Sequence, residues 1–343
     1  MNTSSHLRPI ALTMGEPSGI GPEICLKTWL GCHHKDDSFF LVGDIEEMTR
    51  WNELLHLEVP IERIIKPAAA VEVFPHALPI LHEPMATKAV PGKPTPSNSA
   101  AIRKTIERAV KAVQADHASA VVTSPIQKST LQQSGFPHAG LTEYLGILAG
   151  KNNTPVMMLT CQKLRVVPIT THVSLIEGAR NLNTKEIIRQ TSIVDSSLRY
   201  DFGIPSPKIA MAALNPHAGE EGQMGREEIE IISPAVQHSI RQGIDIVGPL
   251  PADSLFSEET RQKFDAFVCM YHDQALIPLK AIDFWNGVNV TIGLPFIRTS
   301  PDHGTALDIV GLGKANPTSL LAALSVAKEI VNRRSEAAIN VTG

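Results

Sequence analysis

The sequence predicts an α/β fold built as two layered lobes, and three observations predict it. Short apolar runs, each ending abruptly in polar or glycine-rich residues, alternate with segments of helical periodicity, the pattern of buried strands covered by helices. At 343 residues the chain is long for one hydrophobic core, so two lobes are expected. Several apolar runs close on histidines and other chemically useful side chains, and an open sheet leaves the crevice at the carboxyl ends of its strands uncovered for ligands.

In chain order, Pro9 to Met14 reads as a buried strand running into Gly15-Glu16-Pro17-Ser18-Gly19-Ile20-Gly21-Pro22-Glu23. Pro22 suits a first helical turn, and Glu23 complements the positive end of the helix dipole. The glycines do not have the G-x-G-x-x-G spacing of a dinucleotide-binding Rossmann turn. Taken alone, the segment is equally a ligand loop or a plain turn. Phe39 to Asp44 is the next strand, with a helix over 45–55. Residues 66–98, rich in proline and alanine, are expected to wander over the surface.

From Ser99 a helix places Ala100, Ile102, Ile106, Ala109, Val110 and Val113 near one face. Ala118 to Thr123 is a strand whose end puts Ser124 and Lys128 within reach of a ligand. Phe136 to Tyr144 is a turn into a helix, with Thr142 as a cap or an anion contact. Strands are expected over 156–160 and 164–170. A helix follows, capped by Asn183 or Thr184 with Glu186 in its first turn. Lys208 to Leu214 is another strand. Pro249-Leu250-Pro251-Ala252-Asp253 is a loop whose carboxylate either serves the site or caps the next helix. The helix over 319–332 has a wide apolar face that fits either a core or a subunit contact.

The chemistry concentrates between Phe267 and Gly313. An apolar strand over 266–271 ends in His272-Asp273-Gln274; Lys280, Asn289 within a strand-like run, Arg298 and the loop Asp302-His303-Gly304-Thr305 follow. This mixture suits a metal or acid/base histidine beside cations for an anionic substrate. Three strands end in a histidine: His172, His217 and His272. Thirteen histidines spread over many strand ends produce such coincidences, so the alternatives are chance and one shared site. In the second case, three neutral imidazoles leave an open position on zinc, cobalt or nickel, the pattern of a catalytic metal that lowers the pKa of a substrate hydroxyl.

The totals exclude some classes. A hydrophobic content of 43% and a charged content of 19% describe an ordinary soluble globular chain. A net charge of −4 carries no electrostatic footprint for nucleic acid or an anionic membrane. Cys25, Cys32, Cys161 and Cys269 are scattered, without knuckle spacing or a disulfide framework. No segment is apolar enough to span a bilayer, and the N-terminal residues lack a secretory apolar region. A cytoplasmic protein with neither nucleic-acid nor membrane partners is expected.

The runs TMGEPSGIGPE, TTH, LNPHAGE, GPLPAD, MYHDQ, GVNVTIGLPFIRTS and DHGTALDIVG together closely resemble the 4-hydroxythreonine-4-phosphate dehydrogenase family of vitamin B6 (pyridoxine) biosynthesis, over nearly the whole length and in that family's order. The resemblance implies an isocitrate/isopropylmalate dehydrogenase-like fold: two α/β/α subdomains with a cleft between them, here 1–130 plus 295–343 on the cofactor side and 131–294 on the metal and dimer side. It implies a homodimer with a shared active site and a small phosphorylated hydroxy acid as substrate. It also implies a divalent metal (zinc, cobalt or magnesium) on His172, His217 and His272, and substrate contacts from Thr142, Lys280, Asn289 and Arg298.

A wider similarity joins His303-Gly304-Thr305-Ala306, Asp308 and Ala315-Asn316-Pro317 to the cofactor loop of decarboxylating isopropylmalate dehydrogenases. The turn bearing Gly15, Gly19 and Gly21 matches that superfamily as well. NAD or NADP binding without a Rossmann fingerprint is thereby implied. The reaction implied is oxidation of 4-phosphooxy-L-threonine at C3 and decarboxylation of the β-keto acid to 3-amino-2-oxopropyl phosphate. Asp273 and Asp253 are candidates to hold a histidine tautomer, and the proton acceptor is either Lys280 or a metal-bound water. The family's Gly-His-Thr-Glu is here Gly140-Leu141-Thr142-Glu143, which removes one polar substrate contact unless His138 replaces it. A sister dehydrogenase of 4-phosphorylated threonate or erythronate shares nearly every motif, and a phosphate acyltransferase of similar fold is a more distant alternative.

Overall fold

The computed structural model describes residues 8–34, 38–138, 140–150 and 153–342. The chain divides into two compact units, Met1–Asn153 with Leu294–Val331, and Thr154–Gly293 with Asn332–Gly343. Residues 131–153, expected in the second lobe, therefore fall in the first. Leu131, Leu141, Tyr144 and Leu145 are buried in one core with Ile102, Ile106, Ala109 and Val110, and this apolar packing carries the segment with it.

The first unit contains β1 (Ile10–Thr13), α1 (Gly21–Cys32), β2 (Phe39–Gly43), α2 (Ile45–Leu55), β3 (Ile61–Ile64), α3 (Ala70–Val73), β4 (Leu78–His82), α4 (Ser99–Gln114), β5 (Val121–Thr123), α5 (Lys128–Gln133) and α6 (Leu141–Leu148). β12 (Arg298–Pro301) and the start of α13 (Thr318–Thr342) return to it. Its six strands run parallel in the order β3-β4-β2-β1-β5-β12. Covered on both faces, the central strands are continuously apolar, and Leu12, Leu41 and Val122 are fully buried. The strand β4 corrects the expectation for 66–98. Leu78 to Leu81 are buried between β2 and β3. The surrounding prolines hid it, although only Pro79 lies inside the strand, where it removes a single ladder donor. In α4 it is Ala101, not Ala100, that joins the buried face.

The second unit contains β6 (Val156–Cys161), β7 (Leu164–Pro168), α7 (Leu175–Asn181), α8 (Thr184–Tyr200), β8 (Lys208–Ala212), α9 (Ser233–Arg241), β9 (Asp245–Leu250), α10 (Ala252–Leu255), α11 (Glu258–Arg261), β10 (Ala266–Cys269), α12 (His272–Ile282) and β11 (Val288–Ile292). The strand order is β11-β6-β7-β10-β8-β9, with β6 antiparallel to both its neighbours, β11 and β7, and the remaining pairs parallel. Asn183 caps α8 as its sequence suggests, accepting the Glu186 N–H at 2.9 Å. In α13 the apolar face is core: Leu320, Ala323 and Ala327 are fully buried, and Thr299 Oγ1 donates to the Ala323 carbonyl at 2.8 Å. Among the described residues no helix is long and apolar enough to cross a membrane.

Candidate active site

In the second unit β7 and β10 are parallel neighbours, and their carboxyl ends are tied together. Ile169 N–H donates to the Cys269 carbonyl at 2.8 Å, and Thr170 Oγ1 to the Met270 carbonyl at 2.9 Å. The chain then delivers His172 after β7 and His272 as the first residue of α12, with ring centroids 6.0 Å apart. A cation taking one nitrogen of each ring at about 2.0–2.1 Å holds the centroids roughly 5–6 Å apart, so the pair fits a shared metal. Asp273 accepts from His272 Nδ1 at 2.7 Å, which leaves Nε2 as the ligating nitrogen. Buried Gln274 sets the helix start: its Oε1 accepts Met270 N–H and its Nε2 donates to Ala213 O, both at 2.7 Å.

His217 stands apart from this pair. It is exposed in the turn Pro216–Gly222 after β8. Among the described residues no group of three His, Cys, Asp or Glu side chains is placed to hold a metal within one chain. Asp253 is exposed in the first turn of α10 and does not cap it, since the N-cap position is Pro251 without a side-chain bond. Lys280 lies in the last turn of α12 with Nζ 5.1 Å from the Phe284 ring centroid. Asn289 sits on β11 between buried Val288 and Val290, and its Oδ1 is a buried acceptor without a hydrogen-bond partner. Such an atom costs about 1–3 kcal/mol until a donor reaches it, which favours a ligand there.

In the first unit the turn after β1 packs against the loop after β12. Gly15 has φ +78°, and a Cβ there would meet the Pro125 carbonyl at 2.5 Å, so only glycine fits. Ile20 N–H donates to Thr305 O at 3.1 Å, and Thr305 Oγ1 donates to Gln127 Oε1 at 2.8 Å. Gly19 lies against Thr305, and Gly21 opens α1. The far end of the loop is latched by buried Glu23 Oε1, which accepts from Ala315 N–H at 2.9 Å and from Lys27 Nζ at 2.7 Å. Lys27 also donates to the carbonyls of Gly313 and Ala315. His303 is half-buried with Nδ1 3.0 Å from Gly304 O; Gly304 and Asp308 are exposed. Asn316 Oδ1 is occupied at the start of α13, accepting the Thr318 N–H at 2.9 Å.

Arg298 on β12 is buried and donates through Nη2 to Thr123 Oγ1 at 2.7 Å; burial pushes its pKa down to about 10, which still leaves it cationic at neutral pH. Thr142 lies in the first turn of α6 and is half-buried. Leu141 is a core residue, and His138 stacks on Tyr144 with centroids 5.2 Å apart. Ser124 is not open to a ligand: it is buried with Oγ 3.3 Å from Cys25 Sγ. Much of the Lys128 side chain is exposed, but partial desolvation of its amine lowers its pKa, against the opposing pull of the Glu143 charge. Sequence reasoning gave no role to Glu16, Lys27 or Glu228, saw in Glu23 only a partner for the helix dipole, and placed Gln274 at the strand end without its bonds. Each is a polar residue beside a recognised motif, and nothing in the local pattern separates a buried one from a solvated one.

A family model described as pyridoxal phosphate biosynthetic protein PdxA matches residues 35–327. A 4-hydroxythreonine-4-phosphate dehydrogenase of Methylorubrum populi is 48% identical over 338 residues, covering 96% of each chain. One from Bradyrhizobium diazoefficiens is 47% identical over 335 residues, covering 94% of this chain and 97% of its own. Among solved structures, the 4-hydroxythreonine-4-phosphate dehydrogenase of Klebsiella pneumoniae has a TM-score of 0.83 at 36% identity, covering 94% of this chain and 99% of its own.

Proposed function

Because this chain belongs to the pyridoxal phosphate biosynthetic protein PdxA family, we propose that it oxidises 4-phosphooxy-L-threonine at C3 with NAD or NADP and a divalent metal. Decarboxylation then yields 3-amino-2-oxopropyl phosphate, in pyridoxal 5′-phosphate biosynthesis. The observation that carries the reading is 48% identity along 96% of both chains to a 4-hydroxythreonine-4-phosphate dehydrogenase. When bound, the nicotinamide accepts the hydride and the metal polarises the substrate's oxygen, easing proton loss and the later departure of carbon dioxide.

The residues divide the work. His172 and His272 hold the metal from one chain, and Asp273 keeps His272 in the ligating tautomer. The third imidazole, His217, comes from a second copy, which makes the enzyme a homodimer with a shared site. Exposed Val173, Leu175 and Ile176 beside His172, with exposed Phe284 and Trp285 beyond Lys280, favour such an apolar contact. Arg298 and Lys280 hold the phosphate by charge, Arg298 with a fork that permits bidentate bonding, while Thr142 and Asn289 orient the substrate by hydrogen bonds. Lys280 is also a candidate acceptor for the hydroxyl proton. The turn of Gly15, Gly19 and Gly21 and the loop of His303, Gly304, Thr305, Asp308 and Asn316 form the cofactor side. Asp253, exposed on α10, remains a candidate only as a group completed by the second copy.

A second reading, a dehydrogenase of 4-phosphorylated threonate or erythronate, is favoured by one observation: Leu141 is apolar and buried where the family resemblance expects a histidine. The deciding experiment is NADH formation from 4-phosphooxy-L-threonine beside 4-phosphoerythronate, with added divalent metal and after exhaustive chelation. Turnover of the first that chelation abolishes is expected. Full activity in the chelated enzyme sinks the metal role, and turnover of 4-phosphoerythronate alone transfers the assignment to the sister reaction.

A further inference from the structure

The structure assigns to Glu228, acting through Asn215, the positioning of His217; we infer this role on the premise of the metal reading above. The turn carrying His217 is unusual. His217, Ala218, Gly219, Glu220 and Glu221 have φ of 51°, 53°, 80°, 42° and 54°, a run of left-handed backbone. Four of the five carry a Cβ that this region disfavours, so the run persists only where its surroundings enforce it.

The enforcing group is one carboxylate. Glu228 is 3% exposed and opens a wide-turn helical segment, Glu228–Ile232. Its Oε1 accepts the N–H groups of Leu214 and Asn215, each at 2.8 Å, at the point where the chain leaves β8. Its Oε2 accepts from Asn215 Nδ2 at 2.9 Å, and Glu227 Oε2 accepts from the same nitrogen at 2.7 Å. The clamp reaches the turn itself at Gly219, where a Cβ would meet Glu228 Oε2 at 2.6 Å. The two residues before Pro216 are thereby fixed, and the turn closes over the same carboxylate. His217 leaves the backbone between these two anchors.

The hydrogen-bond directions make a sharp test. Asn215 is committed as a donor to two carboxylates, an assignment set by the network. In Glu228→Gln the shape is kept, but one amide oxygen must serve both backbone N–H groups, so the new NH2 faces the NH2 of Asn215. Asn215 cannot turn over, because its oxygen would then face Glu227. In the double variant Glu227→Gln/Glu228→Gln it can, since its oxygen then accepts from both new amides. The double variant is therefore expected to be less damaged than the single one.

The full-length native chain and both variants are stripped of metal and titrated with Co2+, followed by its visible absorption, alongside amide hydrogen exchange at Leu214 and Asn215. Glu228→Gln is expected to bind Co2+ about 10–100-fold more weakly, the usual cost of losing a group behind a ligating histidine, with faster exchange at both amides. The double variant is expected to recover most of the affinity and the protection. Native-like Co2+ binding by Glu228→Gln overturns the inference. So does a double variant that is as weak as the single one, or that fails to fold where the single one fails. Failure of the native chain itself to bind Co2+ is a different result, and it removes the metal reading on which this role rests.

Discussion

Glu16 predicts a pH dependence of stability that belongs to the turn after β1. Its side chain is 1% exposed. One carboxyl oxygen accepts the Ser18 N–H at 3.1 Å, while Oε2 is buried with no partner. Burial pushes its pKa up from 4.5 to about 6, against smaller lowering effects from Ser18. The folded chain thus holds this proton more tightly than the unfolded one. The stabilisation is fully present below about pH 4.5 and is lost as pH rises through about 6. A shift of about 1.5 pH units corresponds to about 2 kcal/mol. Glu16→Gln keeps the shape and the Ser18 acceptor but cannot ionise. Its new NH2 needs an acceptor and costs about 1–3 kcal/mol where none is found, at every pH alike. The quantity to measure is therefore the difference in unfolding free energy between the native chain and Glu16→Gln, by urea titration from pH 4 to pH 8. That difference is expected to fall by about 2 kcal/mol over the range, nearly all of it between the two pKa values. Parallel curves for the two proteins would refute the reasoning.

Arg298→Met is expected to raise KM for the phosphorylated substrate about 10–100-fold, the equivalent of about 1.5–3 kcal/mol for a charged hydrogen bond, and an unchanged KM removes Arg298 from the phosphate site. Leu141→His places an imidazole in the core that Leu141 shares with Tyr144 and Leu145. A loss of about 1.5–3 kcal/mol in stability without faster turnover of 4-phosphooxy-L-threonine is expected, and a gain in turnover shows that the position faces substrate. Lys27→Met leaves Glu23, which is fully buried, without its cation and releases the carbonyls of Gly313 and Ala315. A destabilisation of about 3 kcal/mol and a raised KM for the nicotinamide cofactor are expected, and cofactor kinetics that do not move detach the Glu23–Lys27 latch from cofactor binding.

Much of the architecture was legible before any coordinates. The strands β1, β2, β8 and β10 are short apolar runs bounded by polar residues, and α2, α4 and α8 follow the period of a helix, with Asn183 placed to cap the last. These are local properties: burial on one or both faces writes its period into neighbouring residues, and a cap needs only the three residues after it. The strand β4 escaped because its signal lies among prolines, and the end of the first unit was misjudged because the apolar faces of α5 and α6 do not say which core receives them. The polar residues that hold the site together were illegible for a related reason, since a glutamate such as Glu228 in Arg226-Glu227-Glu228-Ile229-Glu230 reads as a solvated helix face.

The sequence by itself determined which side chains stand at strand ends, among them His172, His217 and His272, because strand termini are marked by the chain's own change from apolar to polar. Only the tertiary structure decided which of these ends are neighbours. The pairing of β7 with β10 across about a hundred residues of chain brings His172 beside His272, and the bonds from Glu228 to Leu214 and Asn215 fix the chain that leads from β8 to His217. Strand order is a property of long-range packing, in which distant segments compete to bury the same surfaces, and no local pattern records the outcome.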